Sequence, residues 1–99
     1  MKVTKEHKID AGEKDSEGYY DYFYEYDIYT FTENGKKLTA RKYIDDETAH
    51  FLRIENEGEE RILTKEDLET SFISEAIEHL RNEGIEEVEY LANSGYERI

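Results

Sequence analysis

Cysteine is absent from the 99 residues, which removes a disulfide framework, a thiolate nucleophile and any cysteine-ligated zinc or iron–sulfur site. Its absence fits a reducing compartment, and a soluble, cytoplasmic protein is expected. Long apolar runs are also missing: none exceeds three residues, so neither a membrane span nor the core of a secretory signal is expected. Bases are scarce. Thirteen lysines and arginines stand against 26 acids, a formal charge of −13, and such self-repulsion opposes close approach to phosphates or an anionic bilayer. Direct binding to nucleic acid or membrane is therefore not expected.

Catalytic signatures are missing in turn. There is no phosphate loop, no dinucleotide fingerprint, no Gly-x-Ser-x-Gly and no His-Glu-x-x-His. In so acidic a chain a pair of carboxylates nominates no particular general acid or base. Glu75, His79 and Glu83 recur every four residues, the spacing of an ordinary charge pair along a helix edge. The acidic segment Glu55–Glu60 lacks the ligand spacing of an EF-hand loop. A non-enzymatic protein without metal or cofactor is expected.

What the chain has is tyrosine. Residues 19–32 carry six of the nine tyrosines and two of the four phenylalanines, interleaved with Asp21, Glu25 and Asp27 and with no base. At the period of a strand, Tyr20, Tyr22, Tyr24, Tyr26 and Ile28 share one face, while Asp21, Phe23, Glu25, Asp27, Tyr29 and Phe31 share the other. Tyrosine offers broad contact area, a hydrogen-bonding tip and little rotamer entropy to lose, which suits recognition surfaces. A second acidic stretch, residues 45–60, sets seven acids against Arg53 alone.

The element pattern predicts an α+β domain, 1–99, in which four or five mainly antiparallel strands are covered on one face by one helix. Residues 1–18 read as a polar, weakly structured start with a possible strand near 2–9; residues 19–63 read as a β meander. Asn34-Gly35 supplies the two positive φ values of a type I′ hairpin turn, setting Phe31 opposite Leu38, Tyr29 opposite Ala40 and Asp27 opposite Lys42. A three-residue loop at Asp45-Asp46-Glu47 places Leu52 beside Ala40 and Ile54 beside Leu38, with Ile44 also on the core face and Phe51 on the opposite one; a two- or four-residue loop would swap Phe51 and Leu52. Thr64 with Asp67 imitates a capping box, so the helix is expected over 65–82 and its stop at Gly84. Residues 85–99 hold the last strand and a tail. A strand from Tyr19 to Thr32 would span about 48 Å, against a radius of gyration of about 13 Å for a domain of this size. It must bend near Asp21–Glu25, bulge, or project.

In size and charge the chain resembles phage-encoded anti-restriction and anti-CRISPR proteins and toxin-neutralising immunity proteins; the likeness is one of composition and no motif carries it. Carboxylates repeating along a strand face, with tyrosines between them as anchor contacts, point to an inhibitor whose surface stands in for nucleic acid on a basic partner. Candidate partner-binding residues are Asp21, Tyr22, Tyr24, Glu25, Tyr26, Asp27, Tyr43, Asp45, Asp46, Glu47 and Phe51. Two alternatives stand beside it: a structural or adaptor domain that forms a homodimer through the tyrosine face, and a module whose rings stack on a sugar or another small planar ligand.

Overall fold

Asn34 and Gly35, at φ 48° and 80°, make the tight turn their sequence predicts, and it joins two strands, β2 (Phe23–Glu33) and β3 (Lys36–Tyr43). Their register pairs Phe31 with Leu38, Tyr29 with Ala40 and Asp27 with Lys42, as the two-residue loop requires. In the computed structural model, which describes residues 1–99, five further strands flank this pair: β1 (Lys2–Ala11), β4 (Thr48–Asn56), β5 (Glu59–Arg61), β6 (Glu87–Ala92) and β7 (Gly95–Arg98). One helix, α1 (Ser71–Asn82), lies between β5 and β6. The sheet has seven strands rather than four or five, in the order β1-β2-β3-β4-β6-β7, with β5 alongside β4. All neighbours are antiparallel except β4 and β6, which α1 connects in parallel.

Two local corrections set the core. Four residues, Ile44–Glu47, separate β3 from β4, and the register slips by one between Thr39 and Ala40. Phe51 thus pairs with Ala40, Leu52 is the extra residue of a β-bulge, and Leu38 still meets Ile54. The longer loop swaps Phe51 into the core and the bulge restores the expected pairing beyond it. Phe51 is fully buried, Leu52 only half-buried, and Ile44 is exposed. The core joins Tyr29, Phe31, Leu38, Ala40, Phe51 and Ile54 of the sheet to Phe72, Ile73, Ala76, Ile77 and Leu80 of α1, with Val88 and Tyr90 of β6. The helix stripe recurs at the spacing of an amphipathic helix.

The helix starts later than its first capping signal. Thr64 and Asp67 close a single 3₁₀ turn at Asp67–Glu69, and Thr70 then caps α1, its hydroxyl accepting from the Ile73 N–H. Asp67 is committed elsewhere. Its carboxylate takes both guanidinium nitrogens of Arg61, at 2.6 and 2.9 Å, and the backbone N–H of Thr64 at 2.7 Å. These bonds, Arg61 first, outweigh desolvation and hold the carboxyl at about 2 instead of 3.8. A displacement of that size contributes about 2 kcal/mol of stability to the ionised form. Because the folded value is the lower one, the contribution is present above the usual 3.8 and lost as pH falls through about 2. Asp67→Asn should therefore destabilise by about 2 kcal/mol at pH 7, and denaturant melts of the two proteins should converge only as pH falls to about 2.

The edge strand β1, the weakest element in the sequence, pairs with β2 along its whole length, from Lys2 opposite Thr32 to Ala11 opposite Phe23. Eight of its ten residues are exposed, so no apolar alternation announces it. The pairing continues past Ala11: the Gly12 N–H donates to the Tyr22 carbonyl at 2.9 Å, and Lys14 bridges Tyr20. Meanwhile β3 ends opposite Tyr26, apart from one bond from the Ile44 N–H to the Glu25 carbonyl. Beyond that point β1 and β2 run on as a two-stranded arm, turning at Asp15–Tyr19, where the Asp15 carboxylate accepts the N–H groups of Glu17 and Tyr19. The chain bends at Asp21, and the excess strand length is absorbed by projection. The molecule measures 50 × 29 × 28 Å with a radius of gyration of 15.1 Å.

Candidate functional site

The arm is where exposed apolar surface collects. Tyr19, Tyr20, Tyr22, Phe23 and Tyr24 are each 45–68% exposed, and Ile9 and Ile44 lie exposed at its base. Strand alternation puts Tyr22 and Tyr24 on the face away from the helix, Ile9 and Phe23 on the other. A two-stranded ribbon is marginal by itself, and ring contacts supply what a core would: Tyr20–Phe23 centroids are 5.5 Å apart and Tyr22–Tyr24 centroids 5.9 Å. Gly12 makes room for the Tyr22 ring, since a Cβ there would come within 3.0 Å of two ring carbons. Residues 10–24 carry five acids and one base, Lys14, which sits over the Tyr20 ring at 5.2 Å.

From the arm the aromatic surface continues over the uncovered side of the sheet. Tyr24 touches Tyr43 (5.9 Å), Tyr43 meets Tyr26 edge-on (5.5 Å), the Arg41 guanidinium lies 4.8 Å over Tyr43, and His50 packs on Tyr96 at 4.4 Å. On this side β2 presents Tyr24, Tyr26, Ile28, Thr30 and Thr32, with no carboxylate among them. The acids there belong to other strands: Glu89 pairs with His50 (2.9 Å) and Arg98 (3.4 Å) and Glu6 with Lys8 (3.4 Å), while Asp10, opposite Tyr24, and Glu55, opposite Lys37, make no ion pair. The uncovered side is thus tyrosine-rich without being strongly acidic.

Glu25 and Asp27 lie on the helix side, where β1 uses them. His7 reaches Asp27 through Nδ1 at 2.8 Å and Glu25 through Nε2 at 2.7 Å. A neutral imidazole has one N–H, so two carboxylate contacts of this length require the imidazolium. Lys5 lies 3.8 Å from Asp27 and 3.3 Å from Glu83. Glu83 also takes the Tyr29 hydroxyl at 3.1 Å and His79 at 2.7 Å, tying the helix end to the first two strands. The hydrogen bond to Asp27, then that to Glu25, raises the His7 pKa above its usual 6.5. A raised folded value means the stabilisation is complete below 6.5 and lost as pH climbs through the folded pKa. An NMR titration of the His7 ring should give a midpoint above 6.5, and Asp27→Asn should bring it down towards that value.

The sequence candidates therefore divide. Tyr22, Tyr24, Tyr26 and Tyr43 form one connected aromatic surface, and Tyr24 and Tyr43 share a cleft of about 600 Å³ with Phe23, Glu25, Ile44, Asp45 and Asp46. Asp21 is exposed at the bend of the arm. Glu47 lines a second cleft on the far side of the same loop, with Lys42, Glu86 and Glu87. Glu25 and Asp27 hold His7, and Phe51 is a core residue facing the helix, so it cannot touch a partner. Ile9, Tyr19, Tyr20, Phe23, Ile44 and Tyr96 join the exposed apolar set without having been among the partner-binding candidates of the sequence. For the arm, Asp15–Gly18 with strand-length segments on either side was the available signal. Tyr96 had none, because its place depends on β7 lying beside β6. No helix is long and apolar enough to cross a membrane, and no three acidic or histidine side chains are grouped to hold a metal ion. Comparisons with protein-family models, curated proteins and solved structures gave no match.

Proposed function

We propose that this small domain is a non-enzymatic binding protein that inserts its aromatic arm into a basic protein and so occupies a surface that otherwise holds nucleic acid. The observation that carries the reading is the gathering of exposed rings Tyr19–Tyr24 on a projecting ribbon rimmed by Asp10, Glu13, Asp15, Glu17 and Asp21. Rings give contact that resists dissociation, while the acids steer a cationic surface towards it and repel nucleic acid itself. An arm with apolar groups on both sides suits a groove better than a flat epitope. The likeness in role to anti-restriction, anti-CRISPR and immunity proteins belongs to this proposal. The test is competition. A basic protein captured from nuclease-treated lysate should be displaced from its nucleic acid by the domain, in proportion to the amount added. Simultaneous binding of both would refute occupancy of a shared surface.

Self-pairing through the tyrosine face is the second reading, favoured because that face carries both charge signs, several of them locally paired, in a chain of net charge −13. Mass in solution separates the two. A dimer insensitive to salt supports self-pairing, and a monomer at high concentration removes it.

A further inference from the structure

We infer that the cleft at the base of the arm is an anchor site for an arginine side chain of the partner. The inference deepens the arm reading and depends on it for its biological context, but its chemistry can be tested separately. The cleft, about 600 Å³, has rings on its walls (Phe23, Tyr24, Tyr43), one aliphatic group (Ile44) and three carboxylates (Glu25, Asp45, Asp46), with no base among its lining residues. Glu25 gives one oxygen to His7, and Asp46 gives one to the Thr48 N–H at 3.0 Å. Their second oxygens and the Asp45 carboxylate form no hydrogen bond or ion pair within the chain, and Asp45 and Asp46 line the neighbouring cleft as well. Lys42, the nearest base in sequence, lines the other cleft beyond the loop and donates to the Tyr43 carbonyl at 2.8 Å.

Rings beside carboxylates select a cation that can stack and hydrogen-bond together. The chain already uses tyrosine this way: Arg41 lies 4.8 Å over Tyr43, Lys14 5.2 Å over Tyr20 and Lys5 5.4 Å over Tyr29. No cation of the chain is seated on Tyr24, the ring shared by the arm and the cleft. Arginine fits better than lysine. Its planar guanidinium stacks on an aromatic face and presents paired donors to carboxylates, whereas the lysine ammonium is a compact, strongly hydrated point charge. The acidic cleft at Asn56, Glu57, Glu59, Glu60 and Arg61 has carboxylates but no aromatic wall. With three carboxylates and one base, Arg61, it serves as a comparison site for carboxylates without rings.

The experiment is a titration of the full chain with acetylated, amidated tri-arginine, tri-lysine and tri-citrulline, followed by backbone amide shifts. Tri-arginine should move residues 23–25 and 43–46 above all others, and bind at least about fivefold more tightly than tri-lysine. Tri-citrulline, isosteric but uncharged, should produce no saturable shift. Tyr24→Ala with Asp45→Asn should weaken tri-arginine binding by about tenfold or more. Glu57→Gln with Glu60→Gln, which removes two charges at the control cleft, should change it less than about twofold. Shifts scattered over the acidic surface, equal affinity for tri-lysine, or equal loss in the control variant would each overturn the anchor site. Should the peptide fail while a partner still depends on the arm, the anchor falls and the arm reading stands. If the peptide binds and no partner depends on the arm, the anchor stands and the arm reading falls.

Discussion

Phe51→Ala should cost about 3–5 kcal/mol of folding stability, a large share of the roughly 5–15 kcal/mol available to a domain of ordinary stability. The Phe51 ring is fully buried, meets Phe31 edge-on at 6.5 Å, and belongs to the core that joins sheet to helix. Its loss leaves a cavity walled by fixed neighbours, and the cavity adds to the transfer cost of the ring. Leu52→Ala, one position on at the bulge, removes a half-buried side chain and should cost clearly less. Urea denaturation followed by circular dichroism compares the pair. The reverse order would show that the β3–β4 connection does not place Phe51 inward.

Tyr24→Ala should act on binding instead. The ring is half exposed and packs beside the exposed or half-buried rings of Tyr22 and Tyr43 rather than in the core, so the change in stability should stay within about 1 kcal/mol. As a central anchor it should cost about 2 kcal/mol or more of partner affinity, roughly a thirtyfold loss, mostly through faster dissociation. Asp45→Lys at the neighbouring loop should show the opposite kinetic signature. Rim charge governs encounter, so association should slow and its salt dependence flatten while the dissociation rate changes little. Stopped-flow or surface-based kinetics at two salt concentrations would separate the two effects.

The features legible in the sequence are those that local chemistry decides. Asn34-Gly35 fixes a turn through backbone conformation, and with it the entire β2–β3 register. Phe72, Ile73, Ala76, Ile77 and Leu80 fix a helix and its buried side. Where two local solutions were nearly equal, tertiary structure chose. Thr64 reads as the helix cap in the sequence, but Asp67, engaged by Arg61, closes only a 3₁₀ turn there and Thr70 caps the helix. Phe51 and Leu52 are adjacent apolar residues, and only a bulge paired with a four-residue loop decides which is inside. β1 could not be read from alternation, because an edge strand exposed on nearly all positions has no apolar face to show.

The candidate site was legible in composition but not in arrangement. The tyrosine run marks a surface, and alternation already sets Glu25 and Asp27 on the face opposite Tyr22, Tyr24 and Tyr26, yet both groups stand together among the partner-binding candidates. Period-two alternation sends Glu25 and Asp27 to the helix side, where His7 takes them. Acid and ring meet instead at the arm and at the Asp45–Asp46 loop beside it. Both places depend on β1 extending beyond the end of β3, a matter of relative strand length across the sheet that no single segment encodes.

The arm's role is tested most directly by affinity capture from nuclease-treated lysate with three forms of the chain in parallel: unaltered, Tyr22→Ser with Tyr24→Ser, and Tyr96→Ser. Tyr96 is as exposed as the arm tyrosines but lies on β7, across the sheet from the arm. The account predicts that a basic protein is retained by the unaltered chain and by Tyr96→Ser, is released as salt rises, and is lost with the arm variant. Retention of the same protein by the arm variant, or its loss only with Tyr96→Ser, would contradict the account.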